Sequence, residues 1–313
     1  IKNALSVVEG MGNPHIDDDF HRILVQYLKT GQVFSDFKSD TPLYKSLHMT
    51  LFEVTLPSSD EEAEKSKGFK EFIGAMEQFY AGMNSISEGK NNSAENYFTL
   101  EVALAEGTDE VVVYAGIPNK HLSLFEKQVL AFYHNAKIRE VTDDYNVFNE
   151  HGGSVGAYAS FTERGVLPIK TYDNIDHDPM NTILNVFSKL KTNGEGAVIQ
   201  LVVAPAGNKF INEFHAILDD VKDGTSVKNA SDNLYKWKHA FMKTGKEFFI
   251  GDKKEISENK ERSMKGRRAV DEGATEKIGN KIKSSIMKAN IRVIASAETV
   301  SRAQGILKEI ESS

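Results

Sequence analysis

The reading of the fold turns on one stretch: Tyr97-Phe98-Thr99-Leu100-Glu101-Val102-Ala103-Leu104-Ala105, then Gly107-Thr108-Asp109, then Glu110-Val111-Val112-Val113-Tyr114-Ala115-Gly116-Ile117. Two runs rich in β-branched and aromatic residues flank a glycine-bearing turn, and this predicts a β-hairpin. Upstream, Phe69, Phe72, Ile73, Met76, Phe79, Tyr80, Met83 and Ile86 keep helical spacing. A Gly/Asn/Ser loop over 87–96 separates that helix from the hairpin. Earlier still, residues 47–56 read as a strand stopped by Pro57, with an acidic loop after it. Downstream, Leu122, Phe125, Val129 and Phe132 mark a helix, and 137–141 a last strand. The order β-α-β-β-α-β predicts a ferredoxin-like (βαββαβ) unit, its two helices on one face of an antiparallel sheet.

The second half reads as a repeat. Residues 155–161 form a strand, extended toward Tyr172 through a kink at Gly165. Asp178-Pro179 caps and opens a helix carrying Ile183, Leu184, Phe187 and Leu190. Ala197 to Ala204 is a strand inside an apolar run that Gln200 interrupts. Ala289 to Ala297 is another, and Val300, Ala303, Leu307 and Ile310 repeat the 3-4-3 spacing of the earlier helix. Between these strands lies a long helical excursion, with Phe210, Phe214, Ile217, Leu218 and Val221 in one stripe and Leu234, Trp237, Phe241 and Phe248 in another. The expected architecture is therefore α+β. It comprises an N-terminal helical segment over 1–46 (stripe Phe20, Ile23, Leu24, Tyr27, Leu28), a ferredoxin-like domain over 47–147, and a second over 148–313, interrupted by an arm near 207–285. The repeat stops one strand short at Ser313 and the chain opens on Ile1, so a fragment of a longer protein is expected.

Composition narrows the function classes. The chain has 313 residues, no cysteine and a net charge of −7, with a mean hydropathy of −0.39. The absence of cysteine removes disulfides, thiolate metal sites and cysteine nucleophiles, and makes a reducing compartment the default. No apolar run approaches the roughly 18 residues of a membrane span, and no signal peptide is visible. From Lys236 to Arg292 there are 16 basic and 8 acidic residues, so a +8 appendage sits on a −15 body. Its centre holds Lys253, Lys254, Lys260, Arg262, Lys265, Arg267 and Arg268, the candidate contacts for a polyanion or a protein partner. Interleaved Asp252, Glu255, Glu258 and Glu261 would repel phosphates, which favours a protein surface over nucleic acid.

No pattern of catalytic residues emerges. Gly245-Lys246-Glu247 lacks both the first glycine and the Ser/Thr of a phosphate-binding loop. Gly152-Gly153-Ser154-Val155-Gly156 has the spelling of a nucleophile elbow, but a strand-like segment follows where a helix is needed, so it reads as an interdomain linker. The clusters His15, Asp17, Asp18, Asp19, His21 and Asp173, Asp176, His177, Asp178 precede helices and read as caps. Tyr97, Phe98 and Tyr114 would suit base stacking, but the strand carries Glu101 and no basic residue. No enzyme activity, metal or cofactor is expected of this chain.

Several segments, taken in order, resemble a known family. They are Leu51-Phe52-Glu53-Val54-Thr55-Leu56-Pro57, Met76-Glu77-Gln78-Phe79-Tyr80-Ala81, Tyr114-Ala115-Gly116-Ile117-Pro118, Phe125-Glu126-Lys127-Gln128-Val129 and Ala136-Lys137-Ile138-Arg139-Glu140-Val141. Pro168-Ile169-Lys170-Thr171-Tyr172, Asp178-Pro179-Met180-Asn181 and Ile291-Arg292-Val293-Ile294-Ala295-Ser296-Ala297 follow. Their order resembles the amino-terminal, non-motor region of VirB4-like or TraG-like ATPases of type IV secretion and conjugation. The resemblance implies a non-catalytic docking and assembly module at the cytoplasmic face of the cell membrane, with secretion-complex proteins or further copies of itself as partners. The alternative is a stand-alone nucleic-acid-binding or scaffold protein that uses the basic arm.

Overall fold

A computed structural model describes residues 48–55, 69–86, 96–142, 144–162, 165–169, 179–232, 234 and 270–313. The chain divides into two units. The first holds a mixed α+β fold around one antiparallel sheet of seven strands. The second comprises 161–176 and 206–286. The helix expected near 20–28 lies outside the described residues.

In the first unit, strand β1 (Met49–Thr55) is followed by helix α1 (Phe69–Met83). The hairpin strands are β2 (Phe98–Leu104) and β3 (Val111–Pro118). Helix α2 (Leu122–Phe132) and strand β4 (Lys137–Glu140) complete the first half. Next come β5 (Gly153–Tyr158), α3 (Pro179–Phe187) and β6 (Gly196–Pro205). After the second unit, β7 (Met287–Ala297) and α6 (Val300–Glu311) close the second half. Helix α3 opens on Pro179, whose fixed φ suits a first helical position.

The strands lie in the order β4-β1-β3-β2-β6-β7-β5. Each half contributes a block, and the blocks join edge to edge through β2 and β6, from Phe98↔Val203 to Leu104↔Ala197. Strand alternation then sorts the side chains. One face carries Phe52, Phe98, Ala115, Ile117 and Val203, which α1 and α2 cover with Phe79, Met83, Phe125 and Val129. The same face continues as Leu104, Ala197, Ala295 and Ala297, covered by Phe187 of α3 and Ala303, Ile306 and Ile310 of α6. Phe79 meets Phe98 edge-on with ring centroids 6.1 Å apart, a favoured aromatic geometry.

Two expectations need correction. Of the stretch 152–156, expected as a linker, residues 153–156 open β5 and Gly152 directly precedes it. Its glycines serve close packing: a Cβ on Gly152 would lie 2.0 Å from the Ala297 carbonyl oxygen, and one on Gly153 would lie 2.8 Å from the Val300 backbone nitrogen. Nor does this strand run on toward Tyr172. It ends at Tyr158, and Val166 is instead buried in the core of the second unit.

An ion pair locks the second half. Glu195, 2% exposed, accepts from Arg302 Nε at 2.7 Å and Nη2 at 3.1 Å, and from the Lys191 backbone N–H at 2.9 Å. The Arg302 hydrogen bonds hold the Glu195 carboxyl below the usual carboxylate range against the opposing effect of burial.

The second unit packs helix α4 (Gly207–Lys222) against helix α5 (Glu272–Lys283) through Ile217, Leu218, Val221, Ala274 and Ile278. Lys281 of α5 donates to the carbonyls of Gly165 (2.6 Å) and Leu167 (3.0 Å), pinning that loop.

Two measurements check this packing. Gly153→Ala should cost about 1–3 kcal/mol through the backbone clash. Gly305→Ala, in α6 with nothing within 4 Å of its added Cβ, should gain about 0.5–1 kcal/mol; urea unfolding reads both signs. Arg302→Met should cost about 3 kcal/mol, because it strands a buried carboxylate. The wild-type contribution of Glu195 is present above the ordinary carboxylate pKa and is lost as pH falls through its lower folded value. Acid unfolding of Arg302→Met should therefore begin at higher pH.

Candidate functional site

The face of the sheet opposite the helices carries a polar row with one residue from every strand. Arg139 (β4) stands opposite Glu53 (β1), and Glu53 opposite Tyr114 (β3). Tyr114 stands opposite Glu101 (β2), and Glu101 opposite Gln200 (β6). Gln200 stands opposite Arg292 (β7), and Arg292 opposite Tyr158 (β5). The join between the halves thus runs through Glu101 and Gln200.

Hydrogen bonds connect most of the row. Arg139 pairs with Glu53. Glu101, 6% exposed, accepts from the Tyr145 hydroxyl and from Gln200 Nε2 at 2.9 Å. Gln200 Oε1 accepts from Arg292 Nη1 at 3.4 Å, and Arg292 Nε donates to Asn290 Oδ1 at 2.9 Å. Two donors offset the cost of burying the Glu101 carboxylate.

Tyr145 comes from the segment between β4 and β5, which crosses this face. Its ring stacks on Tyr114 at 4.4 Å with planes 13° apart. Val141, Val147 and Phe148 of the same segment pack with Ala103, Val198 and Ile294. Asn149 fastens the far end: its backbone N–H donates to Ser296 Oγ at 2.9 Å and its Nδ2 to the Gly194 carbonyl at 3.1 Å. Burial, followed by the charge of Glu101 and the hydrogen bond to it, pushes the Tyr145 hydroxyl well above the usual tyrosine pKa.

Past this segment the row emerges at the β5 edge. A shallow recess of about 420 Å³ is lined by Gly156, Ala157, Tyr158, Asn290, Arg292, Val293 and Ile294. Tyr158 is 74% exposed. A guanidinium beside an exposed ring and an apolar floor is suited to holding a carboxylate and an apolar group side by side. The recess is lined by no Ser, Thr, His, Lys, Asp or Glu side chain. Among the described residues, no group of His, Asp or Glu is placed to hold a metal ion, and no helix is long and apolar enough to cross a membrane.

The basic residues singled out in the sequence, Lys253, Lys254, Lys260, Arg262, Lys265, Arg267 and Arg268, all lie outside the described residues, as do both Asp/His clusters. Sequence reasoning missed Glu53, Tyr145, Tyr158 and Gln200 as members of one site. The one available signal was Gln200, a polar residue interrupting an otherwise apolar strand.

The row makes a titration prediction. A tyrosine held above its ordinary pKa contributes stability that is complete below that value, about 10, and is lost as pH rises through the folded value. Wild-type protein should lose stability above that range. Tyr145→Phe should flatten this alkaline loss and cost about 1–3 kcal/mol at neutral pH, by removing one donor from Glu101; urea midpoints measured across pH report both.

No curated protein and no solved structure matches the chain. A family model described as a domain of unknown function, DUF8128, matches residues 57–312, from just after β1 to the end of α6. The sheet, its four helices and the second unit fall almost wholly within that match, and the chain belongs to the DUF8128 family.

Proposed function

We propose that the chain is a non-catalytic docking and assembly module of a VirB4-like or TraG-like translocation ATPase, acting beside a RecA-like motor at the cytoplasmic face of a membrane. The observation that carries this reading is the polar row ending at an exposed strand edge that is unpaired among the described residues, where Arg292 and Tyr158 offer recognition chemistry. The family-like segments support it, since those around Phe52, Tyr114, Ile138 and Ile294 fall on strands of one sheet. We also read each half as ferredoxin-like. The order β4-β1-β3-β2 is that of a complete βαββαβ unit, and β5-β7-β6 repeats it with the fourth position empty among the described residues.

The basic arm supports the alternative of a nucleic-acid-binding or scaffold protein, through its +8 charge. A paired experiment decides. The chain is mixed with the purified motor domain of a VirB4-like ATPase and followed by sedimentation and ATP turnover. It is separately titrated with duplex and single-stranded DNA by fluorescence anisotropy at two salt concentrations. A complex with the motor, no ATP turnover by the chain alone and weak DNA binding are expected. Submicromolar, salt-sensitive DNA binding that is lost in Arg267→Glu/Arg268→Glu, with no motor complex, would establish the alternative.

A further inference from the structure

We propose that the outer edge of β5 is a strand-addition site for an extended segment of a partner protein. This segment pairs antiparallel to β5, with an acidic residue opposite Tyr158 and a large apolar residue two positions later, opposite Gly156. The inference deepens the docking reading above by naming the surface and the kind of ligand.

The edge is open and chemically plain. Among the described residues β5 pairs only with β7. The Ala159 N–H donates to the Ile291 carbonyl at 2.9 Å, continuing the β5–β7 register. Hydrogen-bonded and outward-facing residues alternate in an antiparallel ladder, so Val155 and Ala157 bond to β7. Ser154, Gly156 and Tyr158 then turn their N–H and C=O groups outward. Proteins blunt exposed edges with charge and proline. The opposite edge does so, since β4 reads Lys-Ile-Arg-Glu. Strand β5 reads Gly-Ser-Val-Gly-Ala-Tyr and has neither.

The internal repeat says what fits there. About the Glu101–Gln200 join, Tyr114 corresponds to Arg292 and Glu53 to Tyr158. Beyond Glu53 lies Arg139 of β4; beyond Tyr158 the equivalent place is unfilled among the described residues. In the first half the Val141 N–H bonds to the Leu51 carbonyl at 2.9 Å, so Glu53 turns its main chain outward to β4 as Tyr158 does to solvent. The occupant is therefore a short antiparallel strand.

The side-chain preference follows from the recess. Gly156 has no side chain, so a residue opposite it can lean across onto Ile294. A residue opposite Tyr158 lies two strand spacings from Arg292, about 9.5 Å, within the combined reach of arginine and glutamate. The ligand thus reads acid–x–apolar from N to C terminus. The β4 sequence, with arginine in the row, is the wrong charge for this end.

The probe is the synthetic peptide Glu-Val-Phe-Val-Thr, acetylated and amidated, added to the full chain, with amide exchange read residue by residue. The expected result is exchange at Ser154, Gly156 and Tyr158 slowed at least about tenfold by peptide, with Val155 and Ala157 unchanged. Replacing the peptide glutamate by lysine should weaken binding about tenfold, and Arg292→Glu should reverse that preference. Gly156→Pro, which removes an outward N–H and no hydrogen bond to β7, should abolish binding while Val155 and Ala157 stay protected; the charge swap stands as the test should this variant fail to fold. The proposal is overturned if the three amides are already protected in the free chain, if their protection grows with chain concentration, or if millimolar peptide leaves them unprotected. A motor complex without protection of these amides would sink this site and leave the docking reading. Peptide binding without a motor complex would do the reverse.

Discussion

The pairing of β2 with β6 is the constraint on which the sheet depends. It joins two blocks that would otherwise each expose an edge, and it does so in one register. A one-residue slip would reverse every side chain of one block relative to the other. Gln200 would then turn toward the layer holding Phe79 and Phe125, while Ile199 or Leu201 would stand opposite Glu101. The cost of taking the Gln200 donor from the buried Glu101 carboxylate and turning its amide toward the aromatic layer fixes the register more firmly than the backbone hydrogen bonds, which a slipped ladder could remake.

The two faces of the sheet follow from this division. One face is fully used in holding the unit together, through helices that bury aromatic and aliphatic side chains. The other is spanned by a single crossing segment, held by Tyr145 at one point and Asn149 at another. A buried carboxylate there adds little net stability, because its hydrogen bonds mainly offset its own desolvation. What it supplies is placement: Tyr145 has one acceptor to find, and finding it sets where the segment lies across the sheet.

The local elements were legible in the sequence and the long-range ones were not. The 3.6-residue spacing of Phe79, Met83 and Ile86 and the pair Phe125 and Val129 of α2 point at buried residues, whereas the 3-4-3 spacing of α6 finds Ala303 and Ile310 but takes in the exposed Val300 and misses the buried Ile306. The strands of the hairpin follow from alternation and a glycine turn. The β2–β6 join could not be read, because the pairing of residues about a hundred positions apart leaves no periodic trace in either segment. Only the start of β5 was disguised, by glycines that ordinarily mark loops but here admit the Ala297 carbonyl and the start of α6. Glu101 counted in the sequence only as a charge unsuited to RNA. Its meaning depends on Tyr145 and Gln200, which meet it only in the folded chain.

The placement of the second unit bears on the order of assembly. Its ends are clasped where the Ala206 N–H meets the Ile286 carbonyl at 3.1 Å, just beyond the Pro205↔Met287 pair of the sheet. Strands β6 and β7 are neighbours in space, yet about eighty residues must be synthesised between them. At the ribosome β6 can dock on β2 early, but β7, and with it the attachment of β5, must wait for that stretch to emerge. Until then β6 has an uncovered edge and β5 has no partner in the sheet, which makes this interval the one most prone to misassembly. Rapid collapse of α4 and its neighbours into their own core would shorten the wait by drawing the ends of β6 and β7 together before they pair.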